Sequence, residues 1–297
     1  MKLHSLRDPE RWERQLSIKR KALTQPFKRK RKSKAIFVLG NQRSGTSMLM
    51  RTFHRHTDVL VYDEHRNSAA FENYCIRGFD TVIRLVDKAR FPVVCFKPIC
   101  DSHKIREFHQ TFSDTSIIWL YRDYQDVANS YLRKFDAPTR AIRLVCTGRP
   151  GGGWFEEGVS AQVRDQLQRI YRPNMTDFNL SCLVWWARNQ IILESGLVGN
   201  TRVILLKYEA LVSAPHEMLE WLYERTGIGF QRDVTRRVSA RSIRRHQAPT
   251  LDPNVEALCE HAMSLLDEAY DAAAPPYTAA KIQHFISLAT PTNAITG

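Results

Sequence analysis

Apolar positions along this chain come in short solid runs separated by stretches with helical spacing. Residues 35–39 (Ala-Ile-Phe-Val-Leu) form one such run, bounded by charge on one side and Gly40 on the other. A short continuous apolar run of this kind is the pattern of a strand buried on both faces. Comparable runs stand at 91–96, 117–121 and 202–207. Between them the period lengthens. Residues 46–56 place Met48, Leu49, Thr52 and Phe53 on one helical face, and 126–134 turn Val127, Tyr131 and Leu132 inward. A long apolar-faced helix is predicted from Phe178 to Leu197, with Trp185 and Trp186 as core residues. Pro215 opens another helix that Thr226 closes before Gly227, the Pro-in, Gly-out asymmetry. A last helix is predicted over 253–270. Residues 135–176 lose clear periodicity around Gly151-Gly152-Gly153 and read as an insertion or loop, with a helix near 159–171.

Strands alternating with helices predict a parallel sheet covered on both faces, an α/β chain in three α/β/α layers. Residues 35–297 are expected to form one domain, preceded by a basic arm at 1–34 that is either disordered or partly helical.

Length and composition narrow the class. The 297 residues suit one large domain or two small ones, and 43% hydrophobic with 25% charged is ordinary for a folded protein. Collagen, low-complexity chains and disulfide miniproteins are excluded. No apolar run approaches the roughly 18 residues of a membrane span, and charge interrupts any signal-peptide core, so a soluble, cytoplasmic protein is expected. The six cysteines show no C-x-x-C pair and read as free, mostly buried thiols.

The net charge of +13 is unevenly placed. Residues 1–34 hold 13 Lys+Arg against 3 Asp+Glu, a net +10, and Lys28 to Lys34 is cationic except at Ser33. Such an arm is either a solvated tail or a contact for an anionic glycan, an acidic membrane surface or nucleic acid. No aromatic interleaving, helix-turn-helix or zinc signature points to specific nucleic-acid binding.

Two segments carry candidate chemistry. The strand at 35–39 runs into Gly40-Asn41-Gln42-Arg43-Ser44-Gly45-Thr46-Ser47 and then a helix. Strand, glycine-bounded loop and helix make a nest of backbone N–H groups for an anion. The spacing is that of a P-loop, but Thr46 stands where a nucleoside triphosphatase has Lys, and the cation has moved to Arg43. The second segment is the end of the strand at 117–121, where Arg122 replaces a metal-binding Asp and Ser130 follows eight residues later. Arg122 is suited to a bidentate phosphate contact. The same residue would equally pair with Asp126, and Asp123 leaves a metal open.

In combination these segments resemble the sulfotransferases that use 3′-phosphoadenosine 5′-phosphosulfate (PAPS). Arg43-Ser44-Gly45-Thr46 resembles their 5′-phosphosulfate loop. Leu120 to Tyr131, with Arg122 and Ser130 eight apart, resembles their 3′-phosphate motif. Lys207-Tyr208-Glu209-Ala210-Leu211 is similar to a further family segment. The likeness runs over about 35–230. It implies a P-loop-containing nucleotide hydrolase-like fold of the sulfotransferase kind, PAPS as donor, PAP as product and no metal.

The resemblance also implies roles. Gln42, Arg43, Ser44, Gly45, Thr46 and Ser47 would hold the 5′-phosphosulfate, and Arg122 and Ser130 the 3′-phosphate. Ser242 and Arg245, in a basic loop over 236–245, would close on the nucleotide. Glu64, in Tyr62-Asp63-Glu64-His65-Arg66, matches the base position of the Golgi-type and tyrosylprotein branch, with His65 and then Asp63 as rivals. Lys97 resembles the Lys of that branch's Lys-x-Pro segment, although Pro98 follows directly, and would act with Arg43 on the transferring group. Trp154 and Phe155 would form a lid on an acceptor. The chain lacks that branch's membrane anchor, which favours a bacterial-type enzyme.

The expected function is therefore sulfuryl transfer to a hydroxyl, with a glycan or glycolipid acceptor preferred over peptidyl tyrosine or a small phenol or alcohol. A P-loop kinase or NTPase and a non-catalytic polyanion-binding protein are the competing readings. The oligomeric state is left open.

Overall fold

The structure, a computed structural model, describes residues 9–27, 29, 32–135, 139–240, 243 and 249–283. In chain order its elements are α1 (Pro9–Thr24), β1 (Lys34–Gly40), α2 (Thr46–Arg55), β2 (Val59–Asp63), β3 (Phe71–Glu72), β4 (Cys75–Ile76), α3 (Phe79–Lys88) and β5 (Val93–Lys97). There follow α4 (Ile105–Thr111), β6 (Thr115–Tyr121), α5 (Tyr124–Lys134), α6 (Arg140–Cys146), α7 (Trp154–Glu157), α8 (Ala161–Ile170) and α9 (Asp177–Leu193). The chain continues through β7 (Val203–Lys207), α10 (Tyr208–Ser213), α11 (Pro215–Thr226) and α12 (Pro253–Ala272).

Five strands pair in parallel in the order β2-β5-β1-β6-β7. The apolar runs seen in sequence are β1, β5, β6 and β7, each buried along nearly its whole length because helices cover both faces. The result is the three-layer α/β/α architecture. From β1 the chain runs out to the edge strand β2, returns to β5 between the two, then crosses to β6 and β7 on the other side of β1. The crevice at that reversal, outside the carboxyl ends of the strands, is where an α/β sheet holds ligands.

Several elements differ from the pattern reading. The helix expected to reach Leu197 stops at Leu193. Gly196 adopts φ +69°, and the Ser195 hydroxyl donates to Ile192 O while accepting from the Leu197 N–H, which closes the turn. Residues 139–176 hold the helix expected near 159–171, as α8, and also α6 and α7, where the lost periodicity predicts a loop. Phe155 is buried in the core, so of the expected lid pair only Trp154 faces a cavity. Trp185 and Trp186 are core residues as expected, and Trp185 Nε1 also donates to Arg122 O at 2.9 Å. All six cysteines are free, and all but Cys75 are buried.

Residues 9–24, within the basic arm, form α1. Its buried Lys21 donates to Phe53 O (3.4 Å) and His54 O (2.7 Å), carbonyls at the C-terminal end of α2, and to Val59 O (2.7 Å) at the start of β2. A cation there also complements the helix dipole.

Candidate active site

The site is assembled from the tips of all five strands. Across the carboxyl edge of the sheet stand Glu64 just past β2, Lys97 ending β5, the 41–46 loop after β1, Arg122 just past β6, and Tyr208 just past β7. Parallel register sets their spacing: Asp63 lies opposite Lys97, Gly40 opposite Leu120, and Tyr121 opposite Lys207.

The loop has the backbone of an anion nest. Arg43 (φ +70°) and Gly45 (φ +95°) are left-handed, and α2 begins without a side-chain cap. Gly45 is required twice over. A Cβ there would adopt a strained φ and would lie 2.3 Å from the Tyr208 ring. Within the loop, Asn41 Nδ2, Gln42 Oε1 and Ser44 Oγ are buried and meet no hydrogen-bond partner among the described residues. Buried polar atoms left unmatched in this way suit a ligand that completes them.

Two cavities open beside the loop. The smaller, of about 460 Å³, is lined by Arg43, Gly45, Thr46, Ser47, Met48, Arg51, Arg122, Asp126, Ser130, Arg133 and Tyr208. Its lining holds four arginines and one carboxylate. That carboxylate belongs to Asp126, which accepts from Arg122 Nη2 at 2.8 Å, so the structural pair considered from sequence does form. Arg122 nonetheless lines the cavity, with its guanidinium 4.4 Å from the Tyr208 ring centroid. Ser130, expected beside Arg122, instead accepts from Arg43 Nε at 3.0 Å. Burial lowers the Arg43 pKa, and the neighbouring Arg122 and Arg133 charges lower it further. Cations crowded to the point of opposing one another's charge are matched to an anion.

The larger cavity, of about 720 Å³, shares Arg43, Thr46 and Ser47 with the smaller one. Glu64 lines it, and Lys97 Nζ lies 2.9 Å from Glu64 Oε1 and donates to Ser47 Oγ at 3.2 Å. Both rivals of Glu64 are engaged elsewhere. Asp63 Oδ2 lies 2.7 Å from His54 Nε2, and the His65 ring bonds to Asn67 O at 2.9 Å. Neither lines the cavity. The remaining walls are Gln42, Ile99, Cys100, Ala141 and Gly151, the rings of Tyr74, Tyr131, Phe135 and Trp154, and the cations Lys134 and Arg140.

The structure thus brings Gln42, Arg43, Thr46, Ser47 and Glu64 to one cavity, with Lys97 buried behind its wall against Glu64 and Ser47, and Gly45, Arg122 and Ser130 to its neighbour. Ser44 is buried within the loop behind them. Ser242 and Arg245 lie outside the described residues.

Sequence reasoning gave no role to three supports, two of which, Tyr208 and Glu209, stand in the segment over 207–211 already singled out. Tyr208 braces both Gly45 and Arg122. Glu209 is wholly buried and accepts the Asp123 N–H at 3.0 Å, steadying the turn after β6, while burial raises its pKa to about 7. Arg188 is buried within α9, donates to Ile99 O at 2.7 Å, and lies 5.1 Å from the Trp154 ring centroid. Desolvation lowers its pKa to about 10. A signal for Arg188 existed, because it is the one cation of α9 and stands in the middle of a largely apolar helix whose other charge, Asp177, is at its first residue.

A parallel sheet with a P-loop-like cradle, flanked by two adjoining cavities lined with cations, defines an α/β protein with a candidate anion site. The Sulfotransferase domain family matches residues 33–247, and the chain belongs to that family. Among solved structures it is similar to a sulfotransferase from Alicyclobacillus acidocaldarius (17% identity, covering 80% of this chain and 94% of that one, TM-score 0.43). It is also similar to sulfotransferase STF9 from Mycobacterium avium (12% identity, 86% and 81% coverage, TM-score 0.44). A further similar structure is mouse sulfotransferase SULT7A1 complexed with PAP (14% identity, 87% and 83% coverage, TM-score 0.38). No curated protein matches the sequence.

Proposed function

We propose that this chain is a PAPS-dependent sulfotransferase that modifies a hydroxyl of a carbohydrate-bearing acceptor. One observation carries the reading. The two cavities meet at Arg43, Thr46 and Ser47, so a ligand gripped in the smaller one presents its reacting end to the larger. The unmatched polar atoms of the loop and the arginine-rich smaller cavity fit a nucleotide with phosphates at two positions. Arg122, Ser130 and Arg133 would hold the 3′-phosphate, and the loop and α2 N-terminus the 5′ side.

The donor supplies an electrophilic sulfuryl group and a phosphate leaving group. Glu64 takes the proton of the acceptor hydroxyl, and its contact with Lys97 fixes its orientation. Lys97, held between Glu64 and Ser47, brings positive charge to the junction where negative charge develops. Arg43 lines both cavities and extends that charge toward the phosphates. Thr46 and Ser47 offer hydroxyls at the same wall.

The acceptor side supports a carbohydrate. Four aromatic rings offer apolar faces to sugar C–H groups, and Lys134 and Arg140 offer charge to an acidic substituent.

The test is a thermal-shift comparison of adenosine 3′,5′-bisphosphate with Mg-ATP and Mg-GTP, followed by labelled PAPS with a panel of glycans, glycolipids, phenols and peptidyl tyrosines. Stabilisation by the bisphosphate without metal, and label on a carbohydrate, is the expected result. Preference for a magnesium triphosphate overturns the donor assignment. Label confined to phenols or tyrosines overturns the acceptor class.

A further inference from the structure

The outward face of α1 carries an apolar stripe flanked by the exposed Lys19, which a surface helix avoids unless something covers it. Trp12, Leu16, Leu23 and Phe27 are 55%, 65%, 73% and 90% exposed. At roughly 100° per residue, Trp12, Leu16 and Leu23 fall within an arc of about 40°, while Ser17 and Lys21 lie about 120° and 160° from its centre. Those two residues fix the rotation of the helix. The Ser17 hydroxyl donates to His54 O at 2.5 Å, and the buried Lys21 ammonium donates to His54 O and Val59 O at 2.7 Å each. With this clamp in place the helix cannot turn to bury its stripe.

Charge follows the same division. The acid of α1 whose side chain is described, Glu13, pairs with Arg55 and Arg237, on the side facing the rest of the chain. Lys19, Arg20, Arg29 and Lys32 are exposed, and the sequence of residues 1–34 carries a net +10.

We propose that α1 is an interfacial helix that docks this protein on a bilayer surface rich in anionic lipid. Its Trp, Leu and Phe side chains enter the boundary between headgroups and acyl chains, and the basic residues meet the lipid phosphates and carboxylates. A lipid surface uses both halves of the pattern. A soluble polyanion would use the charge and leave the apolar stripe in water. A second copy of the chain would set one +10 arm against another.

The test is flotation of the full-length protein with phosphatidylcholine vesicles, with and without phosphatidylserine. Wild type and the Leu16→Asp/Leu23→Asp double variant are compared, with heparin binding and sedimentation velocity run alongside. The proposal expects binding to the phosphatidylserine vesicles, weakened by salt, and a loss of about tenfold or more in the variant. Both substitutions are on exposed positions, and an unchanged melting temperature confirms the fold. Equal vesicle binding by both proteins, or heparin binding without vesicle binding, overturns the proposal. A dimer that the variant dissolves, without lipid binding, also overturns it and makes the stripe a contact between copies.

Discussion

Replacing Glu209 with Gln should remove a pH dependence from the stability of the fold. The carboxyl is wholly buried at the start of α10, its Oε1 accepts the Asp123 N–H, and its Oε2 meets no partner among the described residues. Burial raises its pKa from an ordinary 4.5 to about 7, with the Lys207 charge pulling downward and Asp123 upward. The folded protein therefore holds a proton that the unfolded chain releases at lower pH. Unfolding is linked to proton release between pH 4.5 and about 7, so stability falls as pH rises through that window and levels off above it. The linkage amounts to about 2 kcal/mol between pH 5 and pH 7, and about 3 kcal/mol in all. Gln keeps the acceptor for Asp123 and cannot titrate. Any fixed cost of its amide is independent of pH. Urea unfolding of both proteins at several pH values from about 5 to 8 reads the difference directly. The variant should gain about 2 kcal/mol on wild type between pH 5 and 7, and little more by pH 8. Parallel stability curves, or a variant that loses ground as pH rises, would refute the buried-carboxyl reasoning.

Three further outcomes are expected. Glu64→Gln should lower turnover by roughly 10²- to 10⁴-fold while leaving adenosine 3′,5′-bisphosphate affinity near wild type, measured by single-turnover kinetics and calorimetry; wild-type-like turnover would remove Glu64 as the base. Gly45→Ala drives a methyl into the Tyr208 ring at a left-handed φ, and should cost about 2–4 kcal/mol of stability with loss of bisphosphate binding, seen in thermal melts with and without ligand. Arg122→Lys loses the planar fork and the Tyr208 stack, and should weaken the bisphosphate by roughly 10- to 100-fold while sparing a nucleotide that lacks the 3′-phosphate. Equal weakening of both nucleotides would place Arg122 in a general structural role.

What sequence exposed and what it hid follow from burial and from distance along the chain. β1, β6 and β7 are legible because covering both faces of a strand demands an unbroken apolar run. β2 escapes because it is an edge strand, half-buried beyond Val59, and its Asp63 breaks the pattern. α1 is legible only as one of two alternatives for the arm, because its apolar residues face outward and its buried anchor is a lysine. The 41–47 loop is legible because a nest needs glycine at fixed places in a contiguous segment. The meeting of Glu64 with Lys97 is not, since 33 positions separate them and only the parallel register of β2 with β5 makes them neighbours. Tyr208 is hidden for the same reason. Its role exists only once β7 lies beside β6 and the loop of β1 bends back over both.

That register also explains how the loop works without the lysine of a triphosphatase. In such enzymes the cation belongs to the loop itself and meets the outer phosphates directly. Here Thr46 holds that position, and Lys97 arrives from the neighbouring strand, largely buried, with Glu64 and Ser47 as partners. The ammonium depends on its carboxylate, because removing the carboxylate leaves a buried charge unpaired, at a cost of about 3–5 kcal/mol. Under the proposed reaction, the charge that would stabilise the transferring group and the base that would free the acceptor are tied together at one junction. Both are set by strands about 4.8 Å apart in a rigid sheet. A triphosphate cradle has no use for a carboxylate at that point, since it would repel the outer phosphates. A reaction that must deprotonate a hydroxyl beside an anion needs the carboxylate within reach and a cation to hold it there, and the tips of β2 and β5 supply both.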